Sequence, residues 1–144
     1  GEASYNERVG IFSGVRFSED FYKNISKKDI LECKEQYGID IEETMLNDTL
    51  INRSLKIITH EINHMFGIEH CIFFDCLMCG CNGVFELDKW SWTLCPICIQ
   101  KLYIVSPFNV HDRQKSLVEF YQENLIRNEY NKNRLILEKL SVQN

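Results

Sequence analysis

Residues 60–71 read His-Glu-Ile-Asn-His-Met-Phe-Gly-Ile-Glu-His-Cys, and no other stretch constrains the fold as tightly. Three of the chain's four histidines lie here, spaced HExxHxxGxxH. At average residue frequencies a bare HExxH arises once in ~40,000 windows; the Gly and the third His make that roughly one in tens of millions. His60 and His64 are four apart, so on a helix their imidazoles leave one face on consecutive turns. Gly67 permits the left-handed backbone that ends a helix, and the resulting turn brings His70 back towards the other two.

The spacing predicts one Zn²⁺ held by His60, His64 and His70, with Glu61 beside the metal rather than on it. Three protein ligands leave a coordination position for water, as in catalytic rather than structural zinc sites. Zinc lowers the pKa of such a water towards ~7, and Glu61 is placed to act as general base. The reaction class implied is hydrolysis of an amide bond. A surface helix carrying two chance histidines would leave Gly67 and His70 unexplained. On the same helix Ile51, Leu55, Ile58, Ile62 and Met65 form an apolar stripe expected to face a core, with His60 and His64 roughly opposite. The Asn63 side chain is expected to face solvent.

Six of the seven cysteines crowd into residues 71–98; Cys33 stands apart and reads as an ordinary half-buried thiol. The total is odd and no apolar signal segment is read, so thiolate-bound zinc in a reduced compartment fits better than a disulfide framework. Cys95-Pro-Ile-Cys98 is a CxxC knuckle. Spacing favours Cys76 and Cys79 as its partners, which gives CxxC-x15-CxxC, a zinc-ribbon pattern. Cys71 and Cys76 are the alternative pair.

The run HEINHMFGIEHC, then Cys76-Leu-Met78, then Cys95-Pro-Ile-Cys98, resembles the archaemetzincins (archaelysins), zinc metallopeptidases of the metzincin clan. RVGIFSGVRFSEDFY upstream and CPICIQKLY downstream extend the resemblance over most of the chain, with the eukaryotic-type members most similar. The interval from Met78 to Cys95 is one residue short of the family pattern, and Asn63 stands where those members usually carry Gly. The resemblance implies a catalytic zinc on His60, His64 and His70 with Glu61 as base, and a structural zinc on Cys71, Cys76, Cys95 and Cys98. It makes Met78 the Met-turn, an apolar floor under the imidazoles. Cys79 and Cys81 then become free thiols near the metal, with a place as alternative ligands left open. A thiolate site anchored at Cys71 would also fix the loop that presents His70. The resemblance further implies that the first strands and backing helix of the N-terminal lobe precede Gly1, which would leave a strand unpaired.

The fold class expected is α+β, a metzincin-like catalytic domain over residues 1–144. Residues 1–66 form a partial N-terminal lobe with some sheet, ending in the active-site helix at about 46–66. Residues 67–144 form a C-terminal lobe with the structural zinc and helices. Residues 8–17 alternate as a strand; the metzincin pattern would make it the cleft edge that pairs with an extended peptide, and on sequence alone an ordinary sheet strand fits equally well. Ser26-Lys-Lys-Asp29 starts a short helix running to Tyr37, followed by a loop over 39–45. Gly80–Gly83 is a turn, and Trp90 and Trp92 read as packing residues, with a pocket lining as the alternative. Asn109-Val-His-Asp112 caps a helix whose buried stripe is Val110, Leu117, Tyr121 and Leu125; a further helix covers about 129–140.

With 144 residues, 44% of them hydrophobic, the chain can bury one modest core. No run approaches the ~20 apolar residues of a membrane span. The formal net charge is −5. Two zinc ions leave it there, because the catalytic ion adds two and a four-thiolate zinc site contributes minus two. An acidic chain without a basic stripe argues against nucleic acid as partner. The sequence is therefore read as an intracellular, cytoplasmic or nuclear, monomeric zinc peptidase acting on peptides or proteins. The second reading is a non-catalytic zinc-stapled interaction module, in which Glu61 would have no task.

Overall fold

The computed structural model describes residues 2–14, 17, 35, 49–124 and 126–142. Apart from Glu35, which is helical, the expected helix at 26–37 with Cys33, and the loop at 39–45, lie outside these residues. The described residues form a mixed helix and sheet structure in two compact units, 1–105 and 106–144.

The first unit opens with a β-hairpin. Strand β1 (Glu2–Ser4) pairs antiparallel with β2 (Val9–Ile11), placing Ala3 opposite Gly10. Residues 5–8 make the turn, with Arg8 in the left-handed region at φ 53°. The strand expected over 8–17 stops at Ile11. Residues 15 and 16 lie outside the described residues, and the Phe17 N–H bonds the Gly14 carbonyl at 2.9 Å. Both strands lie against helix α1 (Thr49–Met65).

Helix α1 turns its faces the other way from the periodicity argument. Ile51 is 58% exposed and Ile62 40%, while Leu55, Ile58 and Met65 are only half-buried. The buried face carries Arg53, Lys56, Ile57, His60, Glu61 and Asn63. The reason is polar satisfaction: buried polar groups must find hydrogen-bond partners, and this face finds them. Arg53 grips Asp88 and the Phe17 carbonyl, and Lys56 meets three carbonyls around residues 87–90. Asn63, expected in solvent, is buried and donates through Nδ2 to the Thr59 carbonyl at 2.7 Å.

The helix ends as the glycine predicts. Gly67 has φ 82°, its N–H bonds the His64 carbonyl, and the Ile68 N–H bonds the Asn63 carbonyl. This is a Schellman closure, in which a left-handed residue lets two otherwise orphaned carbonyls find donors. Short helices α2 (Val84–Lys89) and α3 (Pro96–Val105) follow. Two apolar clusters fill the unit. One gathers Ile68, Leu77, Met78 and Leu94 around Cys71, Cys76, Cys95 and Cys98. The other joins Phe17, Ile57, Val84, Leu87 and Trp90.

The second unit is a helical hairpin, α4 (Val110–Glu123) and α5 (Arg127–Val142). The Asn109 side chain caps α4 by accepting from the Asp112 N–H, as its sequence predicts. The buried residues are Gln114, Val118 and Tyr121; of the expected stripe Tyr121 is buried as predicted, Leu117 is half-buried, Val110 is exposed, and Leu125 lies outside the described residues. A polar pair sets this register: Gln114 Nε2 donates to both the backbone carbonyl and Oδ1 of the fully buried Asn133. No described helix is long and apolar enough to cross a membrane.

Candidate metal centre

The histidines predicted as a set come together. His60 Nε2 lies 3.0 Å from His64 Nε2 and 3.3 Å from His70 Nε2. Each has a different structural support. His60 Nδ1 is 2.8 Å from the Leu77 carbonyl, and His64 Nδ1 is 2.7 Å from the Ile68 carbonyl just past the helix cap. A carbonyl can only accept, so Nδ1 carries the proton in both rings and Nε2 presents a lone pair. Gly80 lies against the His70 ring, where a Cβ would sit 3.4 Å from Nδ1. Burial lowers the His60 pKa to about 4; the Leu77 carbonyl opposes this and the neighbouring His64 and His70 add to it. A buried imidazole kept neutral is in the form that ligates a metal.

The donor set fits zinc. Four tetrahedral positions at a Zn–N distance of about 2.0–2.1 Å are ~3.3 Å apart, close to the spacings between these nitrogens. Glu61 is buried one residue along from His60 and lines the same cavity, of about 730 Å³. Glu2, Ala3 and Tyr5 of the hairpin close one side of that cavity, and Trp90 and Cys81 contribute from the loop beyond the histidines. The strand that edges the cleft is thus β1, while Gly10 of β2 backs onto Glu61, its would-be Cβ 3.7 Å from the Glu61 Cβ.

The second cluster settles which thiols meet. Cys71, Cys76, Cys95 and Cys98 bring their sulfurs within 4.8 Å of one another, all four buried, and Cys79 and Cys81 are not among them. The Cys71 and Cys95 sulfurs are 3.8 Å apart. That is the edge of a tetrahedron with Zn–S near 2.3 Å, ~3.8 Å, so this set fits zinc as well. Backbone N–H groups already point at the sulfurs: Cys95 N–H and Met78 N–H meet Cys76 Sγ at 3.2 and 3.5 Å. At Cys71 burial raises the thiol pKa, but N–H bonds from Phe73 and Phe74 and the neighbouring Cys95 and Cys98 outweigh it and bring it to about 7. Burial pushes Cys76 up to about 11 despite its two N–H bonds, and burial with the adjacent Cys95 raises Cys98 further. Thiols so disposed ionise together only with a cation among them.

The two clusters share a scaffold. Leu77, whose carbonyl holds His60, sits between Cys76 and Met78; the Met78 carbonyl in turn accepts from the Cys71 N–H at 2.7 Å. Met78 is fully buried in the apolar cluster around the thiols. Cys79 and Cys81 are partly buried free thiols, and burial raises both. Sequence reasoning did not reach the Leu77 and Ile68 carbonyls or Tyr5, whose ring lies 3.0 Å from where a Gly67 Cβ would be. Backbone acceptors leave no signature in residue type, and Tyr5 is 62 positions from its neighbour.

A fold of mixed helix and sheet, with three converging imidazoles beside a buried carboxylate and a four-thiol cluster behind them, defines a metal-site protein of the HExxH type. The model of Peptidase family M54 matches residues 13–103, and the chain belongs to that family. It is 37% identical over 131 residues to Archaemetzincin-2 of Homo sapiens, an alignment covering 85% of this chain and 36% of that protein. It is 32% identical over 95 residues to Archaemetzincin of Pyrococcus abyssi, covering 66% of this chain and 40% of that one. With Archaemetzincin-1 of Mus musculus the identity is 29% over 118 residues, 76% of this chain and 24% of the relative. The chain spans a little over a third of the length of the Archaemetzincin-2 relatives it matches. No solved structure matches it.

Proposed function

We propose that the chain carries the active site of a zinc-dependent peptidase on a metzincin-like domain. In this reading His60, His64 and His70 hold a catalytic zinc, Glu61 is the general base, and Cys71, Cys76, Cys95 and Cys98 hold a structural zinc. Met78 forms the apolar floor behind the imidazoles. One observation carries it: three Nε2 atoms converge within 4.8 Å on the wall of a cavity that Glu61 also lines. The family match and the relatives' names agree with it.

Zinc, when bound, supplies Lewis acidity towards the scissile carbonyl oxygen and lowers the pKa of water. The chain's own residues do the rest. Glu61 takes a proton from the attacking water at a carboxylate oxygen and returns it to the departing amide nitrogen, so no net proton is consumed. The Leu77 and Ile68 carbonyls keep His60 and His64 in the ligating tautomer throughout. Among the described residues β1 pairs only with β2, and its other edge can accept an extended peptide as an added strand over the cleft. The substrates on this reading are peptides or proteins, cut by a monomer.

Digestion of a peptide library by the zinc-loaded wild type and by Glu61→Ala tests the proposal. Wild type is expected to cleave, and Glu61→Ala to lose at least ~100-fold in rate, the usual worth of a positioned base, with zinc content unchanged. Cleavage that survives Glu61→Ala, or none by zinc-loaded wild type, overturns it. The second outcome would favour a zinc-stapled interaction module.

A further inference from the structure

Helix α1 presents Arg53, Lys56 and His60 on its buried face, spaced three and four apart. The first two grip the end of α2. Arg53 Nε and Nη2 meet the Asp88 carboxylate at 2.8 and 2.5 Å, a two-pronged pair with little exposure on either side. Lys56 Nζ reaches the carbonyls of Leu87, Asp88 and Trp90 at 3.1, 3.3 and 2.8 Å. These carbonyls lie at the C-terminal end of a short helix and carry its negative dipole end, and the Leu87 carbonyl also accepts the Trp90 N–H at 3.2 Å. The same ammonium lies 5.3 Å from the centre of the Trp92 ring. Residues 87–92 are thereby pinned to α1 one turn before the first histidine.

Trp90 is what this pinning delivers. Its indole is 9% exposed and stacks on the His60 imidazole, with ring centres 5.0 Å apart and planes inclined by 25°. His60 has a second support, the Leu77 carbonyl at Nδ1. A hydrogen bond at one ring nitrogen fixes where that nitrogen points, but the ring can still rock about the bond. A flat surface against the ring face removes that freedom. Together they aim Nε2.

We propose that Trp90 is a positioning residue for the three-histidine site, holding the plane of His60 by stacking, and that Lys56 acts through it by anchoring the Trp90 carbonyl. Neither residue touches the metal. The proposal rests on the reading of His60, His64 and His70 as ligands of one ion. The gain is preorganisation: a ligand ring already aimed loses less freedom when the ion arrives.

The test uses the full chain and Co²⁺ as the only added ligand. In Trp92→Phe, Trp90 is the sole tryptophan, and cobalt filling the histidine site is expected to quench its emission in step with uptake. Trp90→Leu is expected to lower cobalt affinity at the histidine site about tenfold, the lower end of what supporting groups contribute to metal sites. Trp90→Phe, which keeps a stacking ring, should recover most of it. Lys56→Met should reproduce the loss with Trp90 still present. Affinity at the thiolate site, followed by its sulfur-to-cobalt absorption, should not change in any of them. Wild-type affinity in Trp90→Leu, or equal losses at both sites across the variants, overturns the positioning role. If wild type takes up no cobalt through the histidines and Trp90 emission does not respond, the ligand reading itself has failed; a wild type that binds beside unaffected variants sinks this inference alone.

Discussion

Leu77 and Ile68 contribute only carbonyl oxygens to the site, yet each fixes which nitrogen of a histidine carries a proton. His60 and His64 were legible from spacing, because four residues on a helix make one face. Their tautomers were not, since a backbone acceptor can sit under any side chain. The cysteines teach the same lesson in reverse. Spacing alone favoured Cys76 and Cys79 as partners of the CxxC knuckle, while the folded chain gathers Cys71 with Cys76, Cys95 and Cys98 and leaves Cys79 hydrogen-bonded to the Phe74 carbonyl. The loop between Cys71 and Cys76 turns the Phe73 and Phe74 N–H groups onto the Cys71 sulfur, a backbone feature that spacing does not report. Cys71→Ser is therefore expected to lower zinc content and activity together, and Cys79→Ser to leave both near wild type. Metal analysis of the two purified variants checks this; the reverse pattern would restore the ribbon pairing.

At the scale of elements, α1 was correctly placed but its inward face was misassigned. A hydrophobic stripe reports which face can be buried cheaply, not which face finds partners. Here Arg53, Lys56 and Asn63 find acceptors inward, and Ile57 is the apolar residue beside them in the core. Chemical denaturation will tell the two faces apart. Ile57→Ala should cost about 2–5 kcal/mol, the usual range for emptying a buried isoleucine site. Ile51→Lys should shift stability by less than about 0.5 kcal/mol, as exposed substitutions do. A large loss from Ile51→Lys and a small one from Ile57→Ala would return the stripe to the core.

The helical hairpin makes its own prediction. Burial pushes the Tyr121 phenol up to about 12, with Glu129 adding to the rise and Arg113 opposing it. The folded state thus keeps a proton that the unfolded chain releases near the ordinary tyrosine value of about 10. This contribution is fully present below pH 10 and is lost as the pH rises towards 12. Helix melting followed across that window should weaken in wild type and be flatter in Tyr121→Phe. Equal slopes would contradict the burial of a neutral phenol. Gln114 and Asn133 explain why Gln114 rather than Val110 shares the buried face of α4 with Tyr121: a buried amide pair fixes the facing of two helices as firmly as leucines do, and periodicity of apolar residues does not register it.

Across the whole molecule, what was legible tracks how locally each feature is determined. The histidine helix, its glycine stop and the Asn109 cap are written within a few residues, and all were read correctly. The β1 strand at the cleft edge, Tyr5 against Gly67 and Trp90 against His60 join segments 30 to 62 positions apart, which no local pattern encodes. The histidine and thiol clusters are built as one object, because residues 76–78 supply a thiol to one, a carbonyl to a histidine of the other, and a backbone link to Cys71. Zinc counted per chain after exhaustive dialysis, in wild type, His64→Ala and Cys98→Ser, tests this most directly. The account predicts two ions in wild type and one in His64→Ala, the remaining ion thiolate-bound, with at most one in Cys98→Ser. A wild type holding a single ion that survives His64→Ala intact would contradict it.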